Sequence, residues 1–564
     1  MTSAEAFAPR TIVSGADAHR APAGDDLDEA ALVAALADPA FYPHRPAAVE
    51  HVQTHISHVF LAGPYAYKLK KPVRFPFLDA GTADRRRALC EDELRLNWRL
   101  AAPVYLGVLP ITRDDAGRLA FDGDGRVVDR VVWMRRLPDG RMLEHLVASG
   151  AADASVFECL AHLLADFHAN APAGPEVSAH AAPEALTAAW GDVLRLADPL
   201  PDDVLPRGAR VILTDFATDF VARHAALLAR RRTARRIREG HGDLRAEHVY
   251  VIDAPVPAAP PHAPLAPGLY VVDCLEFSQT LRCTDVASEV AFLAMDLERL
   301  GRPDFAAAFA DAYAAASGDR ELHALLPFYC AYRACLRGAV DGLKAAEPEV
   351  APDDRVRAAA RARSEFGLAL RHAWRSQGAT LIACCGVSGT GKTALAAELA
   401  QATGFTHLSS DVLRDEAFPA HGPAPYGGER YTPDARAAVY RRLCDDADRL
   451  LAAGRGVVAD ATFIRRADRD ALAAVAARRG APLLFVECDA EEDIVRRRLE
   501  SRADGPSDAR WSTYLGQRAD REPFDAAEPY RQVRTEQAPE AVLADLLVPL
   551  WRWRADARDP AARA

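Results

Sequence analysis

The stretch that decides the fold runs from Ala379 to Ala402: ATLIACC (379–385), then Gly386-Val387-Ser388-Gly389-Thr390-Gly391-Lys392-Thr393, then ALAAELAQA (394–402). A short apolar run reads as a buried strand, and the alanine-rich segment reads as a helix. Between them the octet fits G-x-x-x-x-G-K-[ST] at every position. The spacing has a physical reason. Glycines let successive backbone N–H groups converge on phosphate oxygens, and the following helix directs its positive end to the same point. Lys392 would reach the β- and γ-phosphates of a nucleotide, and the Thr393 hydroxyl would hold Mg²⁺. Downstream, GVVADATF (456–463) and PLLFVECD (482–489) are further apolar strand runs. Strands alternating with helices imply a parallel sheet in an α/β domain.

Outward from that octet, the chain has 564 residues, more than one hydrophobic core usually serves, so two or more domains are expected. Half of the residues are hydrophobic and 26% are charged, which excludes a largely disordered chain. The formal net charge of −11 argues against a general nucleic-acid coat or a binder of anionic membranes. Of the 69 basic residues only five are lysine: Lys68, Lys70, Lys71, Lys344 and Lys392. The skew reflects coding bias, yet it makes each lysine worth asking about. Ten cysteines show no CxxC pair and no zinc spacing, so reduced, buried thiols in a cytoplasmic protein are expected. No signal-peptide core and no apolar run of membrane length occur.

A second constellation lies far upstream. HISHVFLAG and AYKLKKPV read as two strands joined by a turn at Gly63-Pro64, followed by a helix from about Ala83 to Leu100 and a strand candidate at Arg130–Leu137. His55 and His58 alternate with apolar residues and read as strand residues. Residues 150–240 and 285–345 are expected to be mostly helical. Between them stands His241-Gly242-Asp243-Leu244, then a proline-rich hairpin loop, then Val271-Val272-Asp273-Cys274. Paired carboxylates of this kind suit phosphoryl transfer, one facing a hydroxyl and one holding a metal. The expected organisation is a flexible segment 1–40, a domain 41–345, a helical linker 346–378 and a nucleotide-binding domain 379–564. The run Arg230, Arg231, Arg232, Arg235, Arg236 and Arg238 reads as a solvated or phosphate-facing helix end, with a nucleic-acid patch as the alternative.

The C-terminal third resembles small P-loop kinases of the gluconate kinase, zeta toxin and polynucleotide 5′-hydroxyl kinase kind. In LSSDVLR (408–414), Asp411 and Arg414 match the family's S-D-x-x-R pattern, which implies that Asp411 contacts the acceptor hydroxyl and Arg414 helps bind substrate. Asp411 or Ser410 would also serve as a helix cap. Asp460, at the end of its strand, would hold a Mg²⁺-bound water or contact the acceptor. Arg498 and Arg502 share one helix face. The resemblance implies that they reach the transferring phosphoryl group; a solvated face is the plain alternative.

The upstream constellation resembles the aminoglycoside phosphotransferase and choline kinase group, whose fold is that of protein kinases. That implies Asp243 facing the acceptor, Asp273 holding Mg²⁺, Lys68 steadying the phosphates and Glu93 as its ion-pair partner, with Glu91 as the alternative. VVWMRRLP (131–138) would be the strand that receives adenine, and Asp285 would be structural. The pattern departs from the group at Arg245, where a histidine is usual, and at His248, which stands where an asparagine should bind the second Mg²⁺. No G-x-G-x-x-G precedes Lys68.

Taken whole, the order of domains resembles a bacterial fusion described as bifunctional aminoglycoside phosphotransferase/ATP-binding protein. The expected fold class is an α+β protein-kinase-like domain followed by an α/β P-loop NTPase domain with a parallel sheet. The expected activity is an ATP- and Mg²⁺-dependent phosphotransferase acting on a small-molecule hydroxyl acceptor. Two alternatives stand: a nucleotide-sensing regulator with a degenerate N-terminal domain, and a nucleic-acid 5′-hydroxyl kinase. Oligomeric state has no sequence signal here.

Overall fold

The computed structural model describes residues 29–54, 56–75, 78–257, 262–348, 350–418, 432–501 and 511–558. His55, Arg502 and most of the segment 1–40 lie outside the described residues. The chain divides into two compact units: one runs to Leu200 and resumes over Ala217–Phe366, and the other comprises Pro201–Phe216 and Gly367 onward.

In the first unit, six strands form one antiparallel sheet: β1 (Val49–Gln53), β2 (Ser57–Ala62), β3 (Tyr65–Lys70), β6 (Tyr105–Arg113), β7 (Leu119–Phe121) and β8 (Arg126–Arg135), in the order β1-β2-β3-β8-β6-β7. A two-residue ladder, β4 (Arg74–Phe75) with β5 (Leu78–Asp79), stands apart. Gly63, at φ +59°, makes the β2–β3 turn, a conformation that suits glycine. Every residue of β2 and β3 is buried, so the period-2 alternation sorts them between two covered faces. Tyr65, Tyr67 and Leu69 join Phe60 and Tyr42 in one core. Ala66 joins Val59, Leu61, Val132 and Met134 in the other. Lys68 and Lys70 lie on the Ala66 face, toward the helix Ala83–Ala101.

Glu29–Ala37 is helical and buries Leu32 and Leu36, so ordered structure begins before residue 41, against the expected flexible segment. The rest of the first unit is mainly helical, with two short ladders that carry the second constellation. β9 (Ile237–Glu239) pairs with β12 (Cys283–Asp285), and β10 (Val249–Ile252) pairs with β11 (Gly268–Val271), all antiparallel. The proline-rich loop joins β10 to β11, as the sequence predicts.

The arginine run before His241 is largely built in. Arg231 is fully buried and forks onto both Asp285 (2.6 and 2.7 Å) and Asp319 (2.7 and 2.8 Å). Arg230 pairs with Glu321 at 2.9 Å. Arg232, Arg236 and Arg238 donate to main-chain oxygens of Ser178, Ser317 and Ala171. The reason is Arg's planar fork, which satisfies buried carboxylates and carbonyls at once.

The second unit holds a five-stranded, all-parallel sheet in the order β14-β15-β13-β16-β17. Its strands are β13 (Leu381–Cys385), β14 (Thr406–Ser409), β15 (Val457–Asp460), β16 (Leu483–Asp489) and β17 (Tyr530–Arg534). Leu381, Ala383, Val457, Ala459 and Phe485 anchor its core against the helices Pro433–Ala452 and Arg466–Arg479. The helix Pro352–Arg375, expected within a linker, contributes Trp374 to this unit: its ring is fully buried, edge-on to Phe405 and Trp551. The unit boundary therefore falls inside that helix, at Phe366.

Removing one partner of a buried ion pair leaves uncompensated charge. Arg231→Ala is expected to cost about 3–5 kcal/mol of unfolding free energy in urea melts of the full chain; a change under about 1 kcal/mol would contradict the packing role given to Arg231.

Candidate functional site

Two clusters gather the chemistry-bearing residues, one in each unit. In the second unit it lies at the carboxyl edge of the parallel sheet, where open α/β sheets place ligands. β13 runs into the octet Gly386–Thr393, and the helix Lys392–Thr403 leaves from its far end. Gly386 (φ +130°) cannot be replaced, because a Cβ there would sit 2.5 Å from the Cys488 carbonyl oxygen. Gly389 and Gly391 also adopt positive φ, +86° and +87°. The Thr390 hydroxyl donates to Val387 O at 2.8 Å and so braces the loop from within. Thr535, just beyond β17, donates to Thr390 O and Asp489 O.

Register brings the other residues to this loop. Asp460 lies opposite Cys384 on one side and Ser409 on the other. It is 2% exposed, and its Oδ2 accepts from the Ser409 hydroxyl at 3.3 Å. Its Oδ1 is buried with no hydrogen-bond partner among the described residues. Burial alone would raise this carboxyl; His407, the Lys392 charge and Thr393 together hold it below the ordinary range. An orphaned anionic oxygen beside a threonine hydroxyl is a hard-oxygen set of the kind that suits Mg²⁺ and its waters. Asp411 and Arg414 sit in the first turns of the helix Ser410–Ala417 and form an ion pair with each other.

Arg498 lies against the loop. It donates to Thr535 O, while its Nη1 is buried with no hydrogen-bond partner among the described residues. A cavity of about 340 Å³ opens there, lined by Gly389, Gly391, Leu395, Arg498, Thr535 and Gln537. Arg496 stacks on Trp511 at 4.5 Å and is turned to another task.

In the first unit, Lys68 Nζ donates to Glu93 at 2.9 Å and to Asp273 at 2.8 Å. Glu91 instead lies 3.9 Å from the partly exposed Arg87. Lys70, on the same face, pairs with Glu93 and Glu276. Burial pulls the Lys68 ammonium down, but the Asp273 and Glu93 charges outweigh it and raise it well above the usual range. Asp273 takes φ +64°, a strained conformation for a non-glycine residue, held by Tyr105 Oη accepting from its N–H at 3.1 Å. Such strain gathers at functional positions.

The loop His241–Leu244 is fastened by Glu289, which accepts from the N–H groups of His241 (2.8 Å) and Gly242. Burial raises the Glu289 carboxyl, but His168 and His241 lower it to about 2. Asp243 does not face open space: Arg245 donates to both of its oxygens, at 3.0 and 2.8 Å. Against burial, that guanidinium and His248 hold the Asp243 carboxyl far below its ordinary value. His248 donates from Nδ1 to Asp243 O at 2.7 Å, and its Nε2 accepts from Arg245 Nη2 at 3.5 Å with Asp273 Oδ2 3.7 Å away.

Several of these partners escape a sequence reading. Arg245 as a clamp, Lys70 as a second ammonium and Gln517 are the main ones. Gln517 stands in the helix Trp511–Ala519, and its Oε1 accepts the Ser388 N–H at 2.7 Å. A side-chain carbonyl thus occupies a loop amide of the kind that binds phosphate oxygen.

Residues 381–524 match the AAA domain family. An uncharacterized protein of Mycobacterium tuberculosis (strain ATCC 25618 / H37Rv) is 32% identical over 463 residues, covering 81% of this chain and 87% of that protein. An uncharacterized protein of Mycobacterium bovis matches with the same figures. Among solved structures, a sugar kinase from Janibacter sp. HTCC2649 is 24% identical, covering 32% of this chain and 97% of its own, with a TM-score of 0.26. A gluconokinase from Sinorhizobium meliloti 1021 is 20% identical, covering 32% and 94%, with a TM-score of 0.25. Among the described residues, no helix is long and apolar enough to cross a membrane.

Gln517→Ala frees the Ser388 amide. Nucleotide affinity of the variant, measured by calorimetry, is expected to rise about threefold or more, the worth of one modest hydrogen bond; a fall in affinity would contradict the competition between Gln517 and phosphate.

Proposed function

The chain belongs to the family of the mycobacterial proteins it matches over most of their length, and we propose that it is an ATP- and Mg²⁺-dependent phosphotransferase with two nucleotide-binding units, acting on a small-molecule hydroxyl acceptor. The observation that carries this reading is the phosphate loop Gly386–Thr393 at the parallel-sheet edge, with the orphaned Asp460 Oδ1 beside it. Lys392 steadies the terminal phosphates as a point charge on a flexible stem. Thr393 and Asp460 would hold Mg²⁺ or its waters. When bound, the ion offsets charge on the phosphate oxygens. Arg498, already at the loop with its Nη1 unpaired among the described residues, presents a guanidinium to the phosphate-bearing end of the nucleotide. Asp411, two residues past Ser409 at the strand end, is placed to orient an acceptor hydroxyl and take its proton.

The first unit we read as protein-kinase-like, in the manner of the aminoglycoside phosphotransferases. What supports this is the Lys68–Glu93–Asp273 triad, with Asp273 in its strained backbone state. Lys68 steadies nucleotide phosphates, and Asp273 with His248 Nε2 would hold a divalent cation, although a ring nitrogen suits hard Mg²⁺ less well than oxygen does. One observation favours a second reading for this unit. Arg245 covers both oxygens of Asp243, so the carboxylate accepts no proton from a substrate until that clamp opens. In its closed state the unit binds nucleotide without chemistry, as a sensor would.

The test is transfer of label from γ-labelled ATP into a metabolite extract. Lys392→Ala is expected to lose at least about a hundredfold of C-terminal transfer. Asp243→Asn removes a separate acceptor class if the first unit is catalytic, and removes nothing if it senses. Full labelling by Lys392→Ala would overturn the reading of the second unit.

A further inference from the structure

Away from both nucleotide clusters, the first unit carries a cleft of about 450 Å³ lined by Ala173, Gly174, Ser178, Arg232, Arg235 and Ile237. That volume lies within the range of small-molecule sites, about 300–1,000 Å³. Two features set it apart from an ordinary crevice. First, no carboxylate is among its lining residues. The neighbouring basic residues Arg230 and Arg231 are matched by Glu321, Asp285 and Asp319, but among the described residues Arg232 and Arg235 are not matched in this way. Arg232 Nε donates to Ser178 O at 3.2 Å, and Arg235 Nη2 reaches Ala173 O at 3.4 Å. A guanidinium carries five N–H donors, so each keeps most of its donors. Second, positive charge is concentrated beside the cleft. Arg236 and Arg238 also spend their guanidinium groups on carbonyls. Burial and then the Arg235 and Arg236 charges pull the Arg238 guanidinium below its ordinary range. Arg235 itself takes φ +55°, a strained state for a residue with a side chain.

Arg236 feels the Asp319 carboxylate, but Arg232 and Arg235, with donors to spare, have only carbonyl partners among the described residues. Planar forks match phosphate oxygens two at a time. We propose that this cleft is an anion site that takes a phosphate-bearing small molecule, held by Arg232 and Arg235 with Arg236 and Arg238 supplying long-range charge. The site stands independently of the nucleotide reading above. Two arginines at one open cleft suit a small ligand better than a polymer backbone, which would need an extended track of charge.

Inorganic pyrophosphate is the probe, titrated into the full chain by calorimetry without Mg²⁺. The Lys392→Ala variant silences the phosphate loop and is expected to retain pyrophosphate binding. Adding Arg232→Ser and Arg235→Ser to it should weaken that binding at least tenfold, with the binding of Lys392→Ala itself weakening as salt rises. The exposed Arg235→Ser single change, which removes only one long contact to a carbonyl, should reproduce most of the loss with an unchanged melting temperature. Equal pyrophosphate affinity with and without these arginines would overturn the proposal. So would a labelled single-stranded oligonucleotide that binds through Arg232 and Arg235 when pyrophosphate does not.

Discussion

A buried ammonium must be matched by carboxylate, and Lys68 meets that demand with two residues from distant parts of the chain. Glu93 arrives on the helix Ala83–Ala101 and Asp273 on the loop after β11. The requirement is strict because an unpaired charge at this depth would cost several kcal/mol. It fixes the helix against the sheet and fixes the loop against both. Asp273 holds its strained φ within that arrangement, with Tyr105 and Asn97 bonding the N–H groups of Asp273 and Cys274. Glu289 does the same for the His241–Asp243 loop through two main-chain N–H groups. The first cluster is therefore a set of carboxylates and cations that hold one another in place. The Arg245 clamp on Asp243 belongs to the same economy, since a buried Asp243 without a cation would be as costly as a buried Lys68 without anions.

The second cluster follows a different rule. Its loop is set by main-chain conformation, so shape rather than charge defines it. Gly386 has no room for a Cβ, Gly389 and Gly391 need positive φ, and Thr390 and Thr535 brace the turn. The charged members come in by sheet register, with Asp460 and Ser409 on adjacent strand ends. Gln517 accepts the Ser388 N–H, so this loop amide already faces an acceptor oxygen.

How much was legible followed from how local each signal was. The octet 386–393 could be read outright, because its chemistry depends on spacing within eight residues. The facing of Lys68 and Lys70 follows from strand alternation, but nothing in alternation says that both share Glu93. The Arg231 ion pairs, the Arg245 clamp and the Gln517 contact join residues by side-chain direction or across long stretches of chain, and pattern reading does not reach these. β17 went unread for another reason: Tyr-Arg-Gln-Val-Arg is an exposed, charged edge strand, with none of the apolar text that marks a central one. The helix Pro352–Arg375 looked like a connection because of its charged composition, yet Trp374 commits its end to a core.

The central claim is that each unit binds nucleotide. Equilibrium dialysis of the full chain against a labelled, non-hydrolysable ATP analogue with a divalent cation counts the sites directly. Two analogues bound per chain are expected, falling to one in Lys392→Ala and to one in Lys68→Met. A single site in the unaltered chain, abolished by Lys392→Ala and untouched by Lys68→Met, would contradict the claim.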